Sequence, residues 1–556
     1  MSSEPCVHVL IIGGGIVGLS TSLFLSYYGI TSTVIERHSG TSIHPRARSV
    51  NARTMELFRH LGIDHRVREA GASLSSTMGI YSGQSLREVM EAKPRKEGAK
   101  NLPFTGLFAS VSPVSGAFVT QDMLEPVLVD VARRRGGEVR FYTECVGVVQ
   151  DDERVTATLS DRKTGIITQI QAEYLIAADG AKSPIRTSLQ IPTTGRGVMG
   201  HLLNILFNAN LQSLVRGREF SLCKIVRPGV YGLFTSINNS DTWVFHLSYD
   251  PLKGEQVEDF TPERCVDLLR LALGIPDIDI RIKSILPWEP TVQVAERLQE
   301  GRIFLAGDAA HQMPPWGGQG ANTGISDVHN LAWKMAEVIQ RKASKVLLET
   351  YNTERQPVGL EAAEASGVGA DEKGLISVEK NLTVIGGWVR RIPLISGHGY
   401  GYMSPAICYE NTSPMGGWSW RPWTLPSLGF AIDGRPGRRA PHFWVKQNGN
   451  RISTLDLCGK GFILLAGAEG SDWVEAARKL SMNMEVELAA YCLGPEGDLV
   501  TQEAEFEAGT GITRKGAILV RPDDFVVWRE RRQPKDIETK LRNAIKQALC
   551  LQEQDK

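Results

Sequence analysis

Two rhythms of apolar and polar positions run through the chain. The first appears at once, where a continuous apolar run, VHVLII at residues 7–12, breaks into Gly13-Gly14-Gly15. From Gly18 onward Leu19, Leu23 and Leu25 suggest a helix packed on a sheet, and Thr33-Val34-Ile35-Glu36 reads as a second short strand. That succession predicts a strand–helix–strand unit of about 30 residues. The run lacks a basic flank and carries glycines in its middle, which argues against a signal peptide or a membrane span. Helical spacing returns at 51–62, closed by Gly62, at 121–135 despite Pro126, at 262–274, at 325–342 and at 345–366. Strand-rich sequence begins at Val139-Arg140-Phe141 and at 154–159.

The second rhythm has a period of two. SLCKIV, VYGLFTSI and TWVFHLSY, within 200–290, alternate as antiparallel strands do when one face is buried. Residues 80–118 read as irregular, and 395–430, rich in Gly, Pro, Ser and Trp, as a linker. Residues 436–556 read as a separate small α/β domain. GFILLAG is its buried strand and DWVEAARKL a helix, and ILV-RPDD-FVVW is a hairpin turning at Pro522, Asp523 and Asp524. The last helix sets Ile537, Leu541, Ala544, Ile545 and Ala548 on one face.

A length of 556 residues calls for roughly two to four domains. Lys+Arg and Asp+Glu are 62 each, so the basic excess of a nucleic-acid binder is missing. The eight cysteines are scattered, with no CxxC pair and no nearby His cluster. This excludes a zinc site or dithiol centre as a working assumption and fits a reducing compartment. With no further long apolar run, a soluble cytoplasmic protein without nucleic-acid or membrane partners is expected, and no metal is assigned.

Gly13-x-Gly15-x-x-Gly18 stands where a strand meets a helix. The first glycine permits the tight turn, the second lets the backbone approach a pyrophosphate, and the third lets helix and strand pack closely. The helix N-terminus offers free N–H groups to the phosphates. Glu36, followed by Arg37, ends the next strand, where a carboxylate can accept bonds from both ribose hydroxyls. A carboxylate there fits FAD or NAD and disfavours a 2′-phosphate. A second cluster, GRIFLAGDAAHQMPPWGGQGANTG at 301–324, crowds glycines, two prolines and one carboxylate between a strand and a helix. A third, YLIAADGAKSPIR at 174–186, puts Asp179-Gly180 after an apolar strand.

In this order and spacing the three motifs resemble the FAD-dependent aromatic hydroxylases, the single-component flavoprotein monooxygenases typified by p-hydroxybenzoate hydroxylase. The second cluster looks like that family's GD motif and the third like its DG motif. PRARSVNARTMELFRHLG, QDMLE and ETYNTERQPV are lesser matches, and the resemblance spans about residues 5–365. It implies that Asp308 holds a ribityl hydroxyl and that Pro314 and Pro315 wall the ring system. Gly318 and Gly320 would then pass close to the ring face. Gly320, Ala321 and Asn322 would open a helix aimed at the flavin pyrimidine end, stabilising negative charge there. It further implies that Arg46 reaches the pyrophosphate, that Gln121 contacts the cofactor, and that Asp179 and Gly180 support FAD and a transient NAD(P)H. No second GxGxxG is present, which fits brief nicotinamide binding.

The implied reaction uses NAD(P)H and O2 to hydroxylate a small phenolic aromatic substrate through a flavin C4a-hydroperoxide. Pro315 would border the reacting atoms. Tyr231, His246 and Tyr249 are the candidates for a phenol-activating base, each also readable as a structural residue. Phe234, Trp243 and Phe245 either line an aromatic pocket or pack a core. RPGRRAPHFWV, DLCGKGFILLAG and AILVRPDDFVVWR resemble the thioredoxin-like domain of the phenol and polyketide hydroxylase branch. That tilts the substrate towards a polycyclic phenol of secondary metabolism. Without CxxC this domain would be redox-inert, a scaffold or a contact in a homodimer.

The expected fold is therefore α/β and α+β multidomain. A Rossmann-like FAD-binding domain takes 1–80, 115–190 and 290–365, and an antiparallel-sheet substrate domain takes 81–114 and 191–289. A helical segment and linker (366–430) and a thioredoxin-like domain (431–556) follow. A Baeyer–Villiger oxygenase on the same scaffold and a non-catalytic flavin-binding protein are the alternatives. A flavin halogenase is disfavoured, because Trp418-Ser419-Trp420-Arg421-Pro422 lacks the isoleucine of that family's motif.

Overall fold

The apolar run Val7–Ile12 lies at the centre of an eight-stranded sheet in a computed structural model that describes residues 6–551 apart from 75–78, 93–110, 378–396, 411–431 and 502. It pairs in parallel with Ser32–Ile35 on one side and Ile167–Ala177 on the other. Glu138–Arg140 and Ile303–Leu305 extend the parallel part outward. Covered on both faces, such strands carry continuous rather than alternating apolar sequence. Val9, Leu10 and Ile11 are fully buried. The helix after the glycines, Ile16–Tyr27, packs against both Gln121–Arg134 and the long helix Gln319–Ile339, called the GD helix below. Val346–Val368 packs along the GD helix in turn.

The alternating segments form a six-stranded sheet in the order Arg281–Trp288, His201–Asn208, Thr242–Tyr249, Val230–Ser236, Leu222–Arg227, Ile80–Gly83. Its outer face carries Leu203, Ile205, Phe207, Phe234, Phe245 and Leu247, packed with the helix Pro262–Leu273. Its inner face meets the first sheet's helices, where Leu206, Val244 and Ile237 touch Leu74, Phe118 and Met123. Part of the segment expected to be irregular is ordered. Ile80–Gly83 adds a parallel edge strand, and Leu86–Glu91 is a helix whose Ser85 side chain accepts from the Glu88 N–H. Elements this short supply too few residues for a period to show. The rest of that segment, 93–110, lies outside the described residues.

The C-terminal unit, with its seven-stranded sheet, is built on Phe462–Ala466, Ser471–Met484, Leu488–Gly494, Glu503–Thr510, Ala517–Val520, Val526–Glu530 and Ile537–Ala548, with Trp444–Gln447, Asn450–Ser453 and Leu499–Val500 extending the sheet edge beyond Leu488–Gly494. Phe462–Ala466 lies between its parallel partner Leu488–Gly494 and its antiparallel partner Ala517–Val520.

The structure corrects one further expectation. Residues 397–410 are not a linker: Tyr400, Tyr402, Ala406 and Ile407 are buried in the largest core. Tyr402 stacks on Phe525 with ring centroids 4.0 Å apart. The hairpin turn at Pro522, Asp523 and Asp524 is itself buried. Arg521, Asp523 and Asp524 are at most 1% exposed, because this turn plugs into the N-terminal half. Arg521 Nη1 and Nη2 donate to Glu354 at 2.8 and 2.6 Å, and Arg53 Nη1 donates to Asp524 at 2.5 Å. Asn330 donates to Asp523 at 3.0 Å, Lys334 to Glu354 at 2.8 Å, and Arg439 to Glu56. Glu354 is held well below the usual carboxylate range: burial alone would raise it, but Arg521 and Lys334 override that.

Removing one member of such a network leaves a buried charge unpaired, at a cost of about 3–5 kcal/mol. Arg521→Ala is therefore expected to lower the free energy of unfolding by about that much in urea titration. A loss below about 1 kcal/mol, as for an exposed pair, would show that water replaces the arginine.

Candidate functional site

The three glycines of the fingerprint have separable roles. Gly13 sits at φ +111°, and a Cβ there would lie 2.1 Å from the Ala178 carbonyl oxygen. A Cβ on Gly18 would lie 1.8 Å from the Gly13 oxygen. Both positions therefore exclude side chains for packing reasons. Gly15 differs: the nearest atom to its added Cβ is Glu125 Oε1 at 3.6 Å, so that side of the turn is open. The helix begins there without a side-chain cap, leaving N–H donors for a ligand. Glu36 accepts from the Gly14 N–H at 2.7 Å and the His38 N–H at 2.8 Å, which fixes its carboxylate against the glycine turn. Arg37 is exposed next to it. On the other flank the Gln121 N–H donates to the Arg46 carbonyl at 2.8 Å. Gln121 Nε2 and the Ser42 N–H each donate to Glu125 at 2.6 Å. Arg46, Gln121 and Glu125 thus gather beside the open face of Gly15.

The GD stretch folds as a strand, Ile303–Leu305, a tight turn at Gly307, and then the GD helix. Gly307 has φ +61°, and a Cβ there would meet Val17 Cγ2 at 2.9 Å. A Cβ on Gly324 would meet the same atom at 2.6 Å and the Gly307 Cα at 3.0 Å. These glycines let the turn, the GD helix and the fingerprint helix touch, which places Asp308 beside the GD helix N-terminus. A Cβ on Gly320 would lie 3.8 Å from Asp308 Oδ1. Asp308 is open to solvent, yet its carboxyl pKa is raised by burial, with His311 and Arg46 acting the other way. Both hold for a carboxylate lining a deep cleft. Pro315 is exposed along the same turn, and Gly318 caps the helix in a left-handed conformation with no side-chain cap bond. The helix starts at Gln319, just before Gly320 and Ala321. Asn322 is buried, and its side chain serves the fold: Oδ1 accepts from the Asn51 N–H and Thr54 Oγ1, and Nδ2 donates to the Gly318 carbonyl.

Asp179 accepts from the Ile185 N–H at 3.2 Å, while its Oδ1 is buried without a partner. Burial raises its pKa. Gly180 turns the chain at φ +86°. Arg186 ties this turn to the GD turn by donating to the Ala309 and Ala181 carbonyls at 2.8 and 3.1 Å.

The inner face of the six-stranded sheet closes the cleft. Between its two apolar patches runs a polar row, Asn204, His246 and Thr235. His246 Nδ1 is 2.5 Å from Asn204 Oδ1, and Nε2 is 3.0 Å from Thr235 Oγ1. Those partners assign the proton to Nδ1, with Thr235 donating to Nε2. Burial, reinforced by His44, pushes the His246 pKa down to about 4. His44, itself down to about 4 by burial, neighbours Arg46, and Arg46 neighbours Asp308, so the row and the GD turn flank one region. Tyr231 shares this face but is tied down: its hydroxyl and Lys224 Nζ donate to Asp371 Oδ2 at 2.8 and 2.6 Å. Tyr249 is a correction. It lies on the outer face, 5.7 Å from the Phe260 ring. Phe234, Trp243 and Phe245 are fully buried in the outer-face core. One residue of strand parity separates these outcomes.

These features suit a flavin dinucleotide. Two helix ends are uncapped, the Gly15 face is open, Asp179 keeps an unmet acceptor, and Asp308 is accessible. Sequence reasoning missed Glu125, His44 and a set beneath the site, Asp327, Asn330, Lys334, Glu354 and Arg355. A signal was available: Asp327, Asn330 and Lys334 recur at helical spacing among apolar positions of the GD helix. ETYNTERQPV supplies their partners.

Comparison with known proteins bears on the same residues. Residues 6–366 match the family described as FAD binding domain, and 433–550 that described as aromatic-ring hydroxylase, C-terminal. The chain is 37% identical to tetracenomycin A2 monooxygenase-dioxygenase of Streptomyces glaucescens, over 99% of this chain and 98% of that protein. It is 36% identical to an aklavinone 12-hydroxylase of Streptomyces purpurascens, over 98% and 99%. A crystal structure of aklavinone-11 hydroxylase with FAD and aklavinone superposes with a TM-score of 0.84 at 34% identity, covering 99% of this chain and all of that one.

The glycine geometry separates binding from folding. Gly15→Val projects into open space, so the variant should fold with an unchanged far-UV circular dichroism spectrum and purify without flavin absorbance. Gly18→Ala should instead reduce the yield of folded protein, because its Cβ meets backbone. A Gly15→Val protein that retains full flavin would overturn the assignment of that face.

Proposed function

The chain belongs to the FAD-dependent aromatic-ring hydroxylases, and we propose that it hydroxylates a phenolic, polyketide-type polycyclic aromatic with NAD(P)H and O2. It is an FAD-dependent monooxygenase, as its relatives are. The observation that carries the substrate reading is the Asn204–His246–Thr235 row, a hydrogen-bonded polar strip between apolar patches of the inner sheet face. Relatives of matching length are named for tetracenomycin and aklavinone substrates, which supports a polycyclic class.

Bound FAD supplies the redox chemistry, accepting hydride from NAD(P)H and activating O2. The chain's residues bind, orient and handle protons. Glu36 would take the ribose, and Arg46, with the N–H groups after Gly15, the pyrophosphate. Asp308 would take a ribityl hydroxyl. N–H groups of the GD helix would stabilise negative charge at the pyrimidine end. Gln121, Asp179, Gly180 and Pro315 complete the proposed contacts. At the substrate, the phenol proton passes towards Thr235 Oγ1, whose own proton is held by His246 Nε2. Asn204 Oδ1 fixes the Nδ1–H. A phenol of pKa about 10 facing an imidazole of about 4 makes full ground-state transfer unfavourable by about 8 kcal/mol. The row therefore withdraws the proton as the ring is attacked, by general-base catalysis in the transition state.

The strand order of the C-terminal unit supports a thioredoxin-like reading, and the sequence has no CxxC pair, which supports a structural rather than a redox role for it. No helix among the described residues is long and apolar enough to cross a membrane. A cytoplasmic location belongs to the same proposal, as does a homodimer.

Stopped-flow reduction under nitrogen tests the reading. A polycyclic phenol should accelerate flavin bleaching by NAD(P)H, and admitting labelled O2 should give a product carrying one labelled oxygen. Equal bleaching rates without any aromatic would overturn substrate-gated hydroxylation, and a lactone or ester product would mean Baeyer–Villiger chemistry. His246→Ala should lower kcat by about a hundred- to ten-thousandfold while leaving FAD content intact. An imidazole accepts a proton only above its pKa, so turnover governed by His246 should fall as pH drops towards about 4, with no inflection near 6.5. An inflection near 6.5 that disappears in His246→Ala would show a solvated imidazole instead.

A further inference from the structure

Asp327 lies on the GD helix and is fully buried. Its Oδ2 accepts from His311 Nε2 at 2.6 Å and from the Gly307 N–H at 3.3 Å. Those donors flank Asp308 in the chain, one immediately before it and one three residues after. Asp327 therefore clamps the turn that carries Asp308, at both ends and from beneath. Its Oδ1 accepts from Arg355 Nε at 2.8 Å. Arg355 also donates to the Thr323 carbonyl and to the Tyr402 hydroxyl, both at 3.2 Å. Tyr402 stacks on Phe525, next to the C-terminal hairpin turn. A continuous line of contacts thus runs from Phe525 through Tyr402, Arg355 and Asp327 to the backbone on each side of Asp308.

We propose that Asp327 is a positioning residue for FAD binding, holding the Asp308 turn in its cofactor-ready shape, and that Arg355 and Tyr402 brace this clamp, Tyr402 resting in turn on Phe525 of the C-terminal unit. The proposal rests on the reading of Asp308 as a cofactor ligand. Its physical content is directional. Asp327 has both carboxylate oxygens engaged inside the protein, and the donors held by Oδ2 are the two flanks of one turn. Burial would raise the Asp327 pKa, but His311 and Arg355 keep it below the ordinary value, so it stays an acceptor across the working range. Two adjacent residues of ETYNTERQPV thereby divide the support between them. Arg355 braces the clamp, while Glu354 holds the hairpin turn.

The test is a double-mutant cycle on the full chain, read as the FAD dissociation constant from fluorescence titration of apoprotein. Circular dichroism melting of each apoprotein is recorded alongside. Asp308→Ala alone should weaken FAD about ten- to a hundredfold. Asp327→Asn, which keeps the shape and loses the charge, should weaken FAD about tenfold in the natural background and less than about twofold in the Asp308→Ala background. That non-additivity is the signature of action through Asp308. Equal losses in both backgrounds, or no loss in the natural one, overturn the proposal, whatever the melting temperature does. An unchanged constant in Asp308→Ala removes the ligand reading itself and the clamp with it, a result distinct from additivity. Should Asp327→Asn fail to fold, Tyr402→Phe removes only the hydroxyl partner of Arg355 and keeps the ring stack. It should weaken FAD about two- to threefold in the natural background alone, and an equal effect in both backgrounds overturns the brace.

Discussion

Everything in this protein leans on a balanced set of buried charges between its N-terminal and C-terminal halves. Five cations, Arg53, Lys334, Arg355, Arg439 and Arg521, face five carboxylates, Glu56, Asp327, Glu354, Asp523 and Asp524, each at most 2% exposed. Desolvating so many charges is expensive, and such a network is weak grounds for claiming net stability. What it dictates is geometry. Each charge is tolerable only where its partner sits, so the hairpin turn has one acceptable seat between the GD helix and Val346–Val368. Burial draws Lys334 down to about 8, which still leaves it a cation at neutral pH opposite Glu354.

That seat explains why the GD helix can serve two masters. Its N-terminal end is uncapped and open to the cleft, with Gly318 and Gly320 leaving no side chains at its mouth. Its middle is anchored by Asp327, Asn330 and Lys334 to residues far away in sequence. A helix end that stabilises charge must not move when charge develops, because preorganisation is the source of the effect. Anchoring from behind leaves the front free for binding.

The two sheets divide the remaining labour. The parallel sheet delivers strand ends with glycine turns, and those turns gather donors and carboxylates. The antiparallel sheet uses its period of two, with one face sealed by apolar side chains and the other keeping Asn204, His246 and Thr235. The same alternation explains the fates of the tyrosines and aromatics. His246 and Tyr249 are three residues apart on one strand and so face opposite ways, towards the cleft and towards Phe260 respectively.

The sequence alone determined the features whose physics is local. A glycine at φ +111° or beneath a packed helix cannot be replaced at short range, so the fingerprint was legible in Gly13 and Gly18, with Gly15 as the open approach between them, and the GD turn in Gly307 and Asp308. The alternating strands were legible for the same reason, since a half-buried sheet imposes its period on successive residues. Tertiary structure alone decided which face of that sheet meets the elements of the parallel-sheet domain. It also decided that 397–410 is core rather than linker, and that the Asp523-Asp524 turn is buried. Nothing local distinguishes these cases. An Asp in a hairpin turn looks the same whether it meets water or Arg53, and a period of two fixes which residues share a face without saying what that face will meet. Such outcomes are set by charges and surfaces brought together from hundreds of residues apart, where the cost of an unpaired buried charge leaves one arrangement standing.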